Sequence, residues 1–283
     1  MTKRLFISIA LVLIVGLSYS QSSDDFAKSI YGRNPKAGHY AKINGFNMYY
    51  ETYGEGEPLL IIHGNGGSIN NFIYQIPYFA KHYKVIIADS RAQGKSIDTG
   101  DALSYEMMAD DLNTLLDSLH INSCNVIGWS DGGINGLLLA IKHPDKVKKL
   151  AVTGANLWPD ATAVDSKVID LVVKEQDILS KQSPTAETKH AMKLMNLLIN
   201  EPHISLEQLN TIKCPTLVIG GDHDVILPMH TLLIAQSIPK SYLWIIPNSG
   251  HSTPIFYKDQ FNKAVYDFFE KPFRTIDGPD RFN

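Results

Sequence analysis

The chain has 283 residues, of which 44% are hydrophobic, 10% aromatic and 19% charged, a composition typical of a globular protein with one large core. This composition excludes a disordered chain, a collagen and a coiled coil. The formal net charge is −3, from 26 Lys and Arg against 29 Asp and Glu. The basic excess that nucleic-acid binding requires is therefore missing, and we expect no nucleic-acid partner.

The first twenty residues have the pattern of a secretory signal peptide. Lys3 and Arg4 precede an apolar run over residues 5–17, and small and polar residues follow it. A membrane-spanning helix needs about 20 apolar residues, so cleavage is favoured over an uncleaved anchor. We expect a signal peptide at 1–20, a polar leader at 21–36, export to a periplasm or beyond, and no stable membrane span after cleavage.

The mature chain opens with a predicted β-hairpin. Strand-like runs at 39–43 and 46–53 flank Asn44 and Gly45, and an Asn-Gly pair in this position is a strong hairpin signal. Six continuous apolar runs follow and alternate with helical patterns: 59–63, 83–89, 125–129, 149–153, 216–220 and 242–246. Continuous runs are typical of strands that helices cover on both faces. The sequence predicts an α/β fold with a mostly parallel eight-stranded sheet flanked by helices.

Helical periodicity marks the crossover segments at about 104–119, from 131 to before Pro144, and at about 254–270. The interval 156–212 contains no convincing strand. It has helical patterns around 164–179 and 187–198 instead, so we expect a helical cap inserted over the sheet. This cap divides the core into a first part, 37–155, and a second part, 213–283.

Cys124 and Cys214 are the only cysteines, and each precedes an apolar run that is predicted to be a buried strand. Two cysteines cannot form the disulfide framework on which small secreted domains depend. We expect both to be small buried hydrophobic residues rather than a disulfide.

A G-x-S-x-G motif joins the predicted strand 125–129 to the helix that follows. Its serine is Ser130, with Gly128 and Gly132 two positions to either side. This is the placement of a nucleophile elbow, a sharp strained turn that projects the serine hydroxyl and leaves no room for side chains at the flanking positions. Ser130 is therefore the candidate nucleophile.

A serine hydroxyl needs a base to remove its proton and a carboxylate to orient that base. His251 follows the predicted strand 242–246 in a loop at its C-terminal end, where open α/β sheets bind their ligands. The carboxylate is best sought one strand earlier, where both Asp222 and Asp224 could serve.

With these residues the sequence resembles the α/β-hydrolase superfamily across nearly all of the mature chain. The order of the candidates is the order of that superfamily's catalytic triad: Ser130, Asp224, His251. The family's acid usually lies three residues after a glycine and four before a proline. Since Gly221 and Pro228 hold those positions, the resemblance implies Asp224 rather than Asp222.

The His63-Gly64 pair, which follows Ile62 at the end of the predicted strand, resembles the superfamily's oxyanion loop. This resemblance implies that the backbone N–H groups of Asn65 and Asp131 bind the oxyanion. The segment 89–96 resembles the loop after the second parallel strand. It is not a phosphate loop, because Asp89 stands where the required glycine would be.

The elbow sequence GWSDGGI at 128–134 resembles the valacyclovir hydrolase or biphenyl hydrolase-like group. That resemblance implies an esterase for α-amino acid esters, in which Asp131 binds the substrate ammonium. A carboxylate beside an oxyanion hole opposes the developing negative charge unless a cation lies between them. The alternative is that Asp131 simply opens a helix, whose dipole favours an anion by about 0.3–1 kcal/mol without any ligand.

The tripeptide Asp222-His223-Asp224 could be read as a set of metal ligands. Neighbouring side chains point in different directions, however, and no second ligand cluster accompanies them. We expect no metal and no cofactor.

The sequence thus predicts an exported, carboxylesterase-like serine hydrolase that cleaves a small carboxylic ester or amide through an acyl-enzyme. Acyl transfer or carbon–carbon bond hydrolysis on the same scaffold is one alternative. A ligand-binding protein with vestigial hydrolysis is another, because fold alone does not fix function. The sequence predicts no oligomeric state.

Overall fold

A computed structural model describes residues 20–276 and 278–282, so residues 1–19 of the predicted signal peptide lie outside it. An eight-stranded sheet with the order β1-β2-β4-β3-β5-β6-β7-β8 forms its centre. The strands are β1 Gly38–Ile43, β2 Phe46–Tyr53, β3 Glu57–Ile62, β4 Tyr83–Ala88, β5 Cys124–Trp129, β6 Val147–Thr153, β7 Thr216–Gly221 and β8 Ser241–Ile246. β2 is antiparallel to β1 and β4, and the other pairs are parallel. The predicted mostly parallel sheet is confirmed.

The predicted hairpin joins β1 to β2. Asn44 has φ 39° and Gly45 has φ 94°, and Ile43 pairs with Phe46 across the turn. Two consecutive left-handed residues match the twist of the flanking strands, which explains the Asn-Gly pair at this position.

The helices of the described chain are α1 Ser20–Lys28, α2 Ile76–Phe79, α3 Tyr105–Ser118, α4 Asp131–Lys142, α5 Ser166–Ser180, α6 Ala186–Asn200, α7 Leu206–Leu209, α8 Pro228–Ser237, α9 Thr253–Phe256 and α10 Lys258–Glu270. Short 3₁₀ turns occupy Ile69–Phe72, Pro144–Lys146 and Gly278–Phe282. Within the described residues, no helix combines the length and the apolar character needed to cross a bilayer.

Helices cover both faces of the sheet. Leu60 and Ile62 of β3 join one buried cluster with residues of α3, α4 and α8. Leu59 and Ile61 join a second cluster with residues of α2 and α10 on the opposite face. All four side chains are buried because successive residues of a strand point to opposite faces. This double burial explains the continuous apolar runs in the sequence.

The prediction of a single helix at about 254–270 is wrong. The chain forms two helices there, α9 and α10, which are separated by Tyr257. Tyr257 leaves helical geometry at φ −114° and ψ 30°. Its hydroxyl donates hydrogen bonds to the carbonyls of Pro247 and Asn248, at 3.2 and 2.7 Å. The break thus accompanies a contact with the loop that follows β8, which local periodicity does not reveal.

Helices α5 and α6 lie between β6 and β7 along the chain. They occupy the two parts of the interval 156–212 for which the sequence predicts helices. α6 is tied to the rest of the molecule by Lys193, whose Nζ lies 2.6 Å from both Asp98 Oδ2 and the Gly100 carbonyl. Asp98 also pairs with Arg91, and Arg91 donates two hydrogen bonds of 2.7 Å to Asp111 of α3. A largely buried ionic network therefore joins α6 to α3.

Cys124 and Cys214 are both buried and free. Burial raises the pKa of the Cys124 thiol to about 12 and that of the Cys214 thiol to about 11. Both thiols stay protonated near neutral pH and therefore lack the thiolate that makes a cysteine reactive.

Candidate active site

The turn between β5 and α4 has the geometry of a nucleophile elbow. Ser130 has φ 58° and ψ −124°, a left-handed conformation that a residue with a side chain rarely adopts. A Cβ on Gly128 would lie 2.1 Å from the Gly132 carbonyl oxygen, and a Cβ on Gly132 would lie 2.0 Å from that of Ile62. The motif glycines are therefore required by backbone contacts.

The structure brings the three predicted side chains together at the C-terminal edge of the sheet. His251 Nε2 lies 2.9 Å from Ser130 Oγ, and His251 Nδ1 lies 2.6 Å from Asp224 Oδ1. The side chains of His251 and Asp224 are 7% and 0% exposed. The contacts form a continuous chain from hydroxyl to imidazole to carboxylate, which is the arrangement that activates a serine.

The electrostatic surroundings of His251 favour its protonated form. Burial lowers the pKa of His251, but the charge and hydrogen bond of Asp224 and the charge of Asp131 outweigh burial and raise that pKa above its ordinary value. An imidazole of this kind accepts a proton readily and is stabilised once it has done so.

Asp224, and not Asp222, is the carboxylate that contacts His251. Asp222 Oδ1 instead accepts the backbone N–H of Ser249 at 3.0 Å. The backbone N–H of His223 donates to the Ser249 carbonyl at 2.9 Å. Asp222 thus braces the loop before His251, while Asp224 holds the ring.

Two residues that sequence analysis left without a role also hold His251. The indole Nε1 of Trp129 donates to the His251 carbonyl at 2.9 Å. Gly154, at φ 64°, packs against the imidazole ring of His251, since a Cβ there would lie 2.7 Å from His251 Cε1. Trp129 precedes the nucleophile and Gly154 follows β6, but no local pattern indicates that either residue touches His251.

The predicted oxyanion loop runs directly beside the nucleophile. A Cβ on Gly64 would lie 3.0 Å from Ser130 Cβ, which places the next residue, Asn65, at the elbow. In the described structure neither the Asn65 N–H nor the Asp131 N–H donates to a backbone carbonyl. The backbone N–H groups of Asn65 and Asp131 remain the predicted oxyanion donors, although the Asp131 N–H also interacts with its own carboxylate.

The fully buried His63 fixes this loop. Its Nε2 accepts the Ser90 N–H at 2.9 Å, so its Nδ1 carries the hydrogen and donates to the Gly64 carbonyl at 2.8 Å. Burial lowers the pKa of His63, against an opposing effect of the Asp89 charge. A neutral ring with one donor and one acceptor satisfies both backbone partners.

Asp131 is buried in the wall of the site. Asn65 Nδ2 donates to Asp131 Oδ2 at 2.9 Å, and the Tyr105 hydroxyl also interacts with this carboxylate. Burial raises the pKa of Asp131 to about 6, although Asn65, Tyr105 and His251 partly offset that rise. Asp131 also begins α4, so the helix-dipole interpretation and the ligand interpretation both fit its position.

A cavity of about 370 Å³ opens onto Ser130 and His251. Its apolar side is formed mainly by α5 and α6, with Val168, Ile169, Val172, Met195 and Leu198. Its polar side includes Asn65, Tyr105, Asp131 and Glu201. Three carboxylates line the cavity, those of Asp131, Glu175 and Glu201, and the described lining contains no Lys or Arg.

The tripeptide Asp222-His223-Asp224 is not gathered around one point. Asp222 contacts Ser249, Asp224 contacts His251, and the His223 side chain is 76% exposed. In the described ranges no group of three or more His, Cys, Asp or Glu side chains is placed to hold a metal ion.

Comparison with known proteins gives a family-model match to the alpha/beta hydrolase fold over residues 57–176. The chain is 27% identical to the serine hydrolase BPHL of Mus musculus over 248 residues, covering 81% of this chain and 84% of the relative. It is 27% identical to a putative carbamate hydrolase, RutD, of Caulobacter sp. (strain K31) over 255 residues, covering 78% and 95%.

Among solved structures, a thermophilic esterase from Thermogutta terrifontis superposes with a TM-score of 0.71 at 22% identity, covering 83% of this chain and all of that one. The fold is the α/β-hydrolase fold. The family-model match and the similarity to BPHL support an assignment to the α/β-hydrolase superfamily near the BPHL group, the resemblance that the elbow motif indicated.

Proposed function

We propose that this α/β-hydrolase is a serine hydrolase that cleaves a small carboxylic ester or amide, with α-amino acid esters as its preferred class. The observation that carries the proposal is the chain of contacts from Ser130 through His251 to Asp224, at 2.9 and 2.6 Å. A hydroxyl, an imidazole and a carboxylate in this order perform acyl transfer through a covalent intermediate.

In the proposed reaction Ser130 Oγ attacks the substrate carbonyl and His251 Nε2 takes its proton. Asp224 accepts the Nδ1 hydrogen and stabilises the resulting imidazolium. The N–H groups of Asn65 and Asp131 bind the oxyanion, and His251 then returns the proton to the leaving group. Water attacks the acyl-enzyme with His251 again as the base, which releases the acid and restores Ser130.

The amino ester preference rests on the charge of the cavity wall. The Asp131 carboxylate lies beside the proposed oxyanion site, and the described lining offers no Lys or Arg to offset it. A negative charge at this point disfavours an anionic transition state unless the substrate brings a cation. An α-ammonium group between Asp131 and the carbonyl supplies that cation, and the resemblance of the elbow sequence at 128–134 to the valacyclovir hydrolase group supports the same preference.

A substrate panel in parent and Ser130→Ala proteins tests the function. The panel contains amino acid esters, their N-acetyl counterparts, an amide and a carbamate, since one relative is a putative carbamate hydrolase. We expect Ser130→Ala to lose at least about 10³-fold in kcat and all labelling by an organophosphonate. Undiminished turnover in Ser130→Ala contradicts the mechanism, and saturable binding without product release indicates a ligand-binding protein.

We also propose that the protein is exported and that residues 1–20 are removed. The support is the basic start and apolar run of this segment. Mass spectrometry of the mature protein from the expressing cell tests this directly. A chain that keeps residues 1–20 in the cytoplasm contradicts it.

A further inference from the structure

Glu201 is a second carboxylate in the cavity wall, and no part of the proposed mechanism uses it. It follows α6, and its Oε2 accepts the backbone N–H of Tyr105 at 3.0 Å. No hydrogen bond from the described residues reaches its other oxygen, Oε1. Glu201 lines the same cavity as Ser130, so a bound substrate can reach it.

Among the described residues, no Lys or Arg offsets the negative charge of this part of the cavity. Burial and the neighbouring charge of Glu106 raise the pKa of Glu201, while the Tyr105 N–H and His203 oppose that rise. Within the described chain neither Glu201 nor Asp131 forms an ion pair with Lys or Arg. A cavity lined by one sign of charge attracts ligands of the opposite sign.

Tyr105 gives the spacing of the two carboxylates. Its hydroxyl interacts with Asp131, and its backbone N–H binds Glu201. Asp131 and Glu201 therefore lie at opposite ends of one tyrosine. The α-ammonium and ε-ammonium groups of lysine are about as far apart as the backbone N–H and the hydroxyl of a tyrosine.

We infer that Glu201 forms a second cation subsite and that the preferred acyl group is a diamino acid such as lysine or ornithine. This inference rests on the proposed function, because it needs the substrate carbonyl at Ser130 and the α-ammonium at Asp131. The side-chain ammonium then binds Glu201 Oε1. The specificity-determining feature is the charge of Glu201 rather than its hydrogen bond to α3.

Glu201 has a structural role that must be separated from this one. It caps the N-terminus of α3 through Tyr105, which stabilises a helix without any ligand. A glutamine preserves that role, since its amide oxygen also accepts an N–H, but it removes the charge. Glu201→Gln is therefore the informative variant, and Glu187→Gln, at an exposed position of α6, is the matched control for net charge.

The experiment measures kcat/KM for the methyl esters of lysine, norleucine and Nε-acetyllysine, all of which keep the α-ammonium group. We expect the parent to prefer the lysine ester over the other two by about tenfold, the scale of one charge-assisted contact. Glu201→Gln should reduce this preference to about parity, with a larger loss for the lysine ester than for the norleucine ester. Glu187→Gln should retain the full preference.

Equal and measurable rates for the lysine and norleucine esters in the parent overturn the inference and leave the proposed function intact. An equal loss for all three esters in Glu201→Gln also overturns it, since that indicates only the structural role. Calorimetric binding of the same esters to Ser130→Ala protein provides a readout without catalysis. Tighter binding of the lysine ester, lost on adding Glu201→Gln, supports the subsite even if the parent hydrolyses none of the three.

Discussion

The indole of Trp129 donates a hydrogen bond of 2.9 Å to the backbone carbonyl of His251. Trp129 immediately precedes Ser130, so the nucleophile and its candidate base are connected twice. One connection is the side-chain contact between Ser130 and His251. The other is the hydrogen bond from the side chain of the preceding residue, Trp129, to the backbone carbonyl of His251. Trp129 is therefore a positioning residue for His251.

Trp129→Phe should lower kcat by about tenfold with little change in KM. The substitution leaves the buried His251 carbonyl without a partner, which costs about 1–3 kcal/mol and frees the loop to shift. Steady-state kinetics and the midpoint of the kcat/KM pH profile give the readout. Phe72→Leu is the control, because Phe72 packs edge-on against Trp129 and has no hydrogen bond or ring contact with His251 among the described residues. Full kcat in Trp129→Phe, or an equal loss in Phe72→Leu, contradicts this role.

Gly154→Ala should reduce kcat/KM by about 10²-fold, the scale expected for a displacement of about 1 Å at a reacting group. The new Cβ would lie 2.7 Å from His251 Cε1, so the ring must move away from Ser130. Gly278→Ala is the matched control for Gly154→Ala, since Gly278 also has a positive φ but no atom lies within 4 Å of the added Cβ. We expect Gly278→Ala to keep parental activity. Equal activities of the two variants would show that Gly154 does not set the ring position.

Asp224→Asn should lower kcat by about 10⁴-fold, because an amide cannot hold the imidazole in the required tautomer or stabilise its charge. Asp222→Asn should cost far less, since its partner is the backbone N–H of Ser249 and an amide oxygen still accepts that bond. Comparing kcat of the two variants distinguishes the aspartates. A larger loss in Asp222→Asn would reverse their proposed roles.

The pH dependence of kcat/KM should show two enzyme groups for an amino acid ester and one for its N-acetyl counterpart, and the ester's own α-ammonium group adds a further titration at about pH 7–8. His251 accepts a proton only when neutral, and its raised pKa means that activity falls as the pH drops through a value above the ordinary one for histidine. The pKa of Asp131 is about 6, and only its ionised form, above that pH, binds an ammonium group.

The ratio of amino ester to N-acetyl ester turnover should therefore fall as the pH drops below about 6. Asp131→Asn should remove this pH dependence of the ratio while the His251 limb remains. Profiles of both substrates from pH 5 to 8 provide the measurement. A ratio that stays constant across that range would argue that Asp131 serves only the helix.

The fold was predictable because a central strand that is buried on both faces needs a continuous apolar run. The Asn44-Gly45 pair likewise indicated the hairpin turn between β1 and β2. The break between α9 and α10 at Tyr257 was not predictable, since it is accompanied by hydrogen bonds to the loop at Pro247 and Asn248. In the site, the glycine spacing around Ser130 reports a local backbone requirement and is visible in one segment of sequence.

The residues that surround the candidate nucleophile were harder to find. The residues alone left both Asp222 and Asp224 as candidates, the family resemblance implied Asp224, and the folded chain shows that Asp224 reaches His251. Trp129 and Glu201 act through partners 122 and 96 positions away. Their bonds involve a backbone carbonyl and a backbone N–H, groups that every residue carries, so no side-chain pattern marks the partner.

The acidic lining that favours entry of a cationic ester should also hasten departure of what the reaction makes. Hydrolysis turns a neutral carbonyl group into a carboxylate, and this new anion faces Asp131 and Glu201 without a Lys or Arg in the described lining to retain it. The free amino acid should thus be a poor inhibitor of its own ester's turnover, and the cavity should clear itself after each cycle.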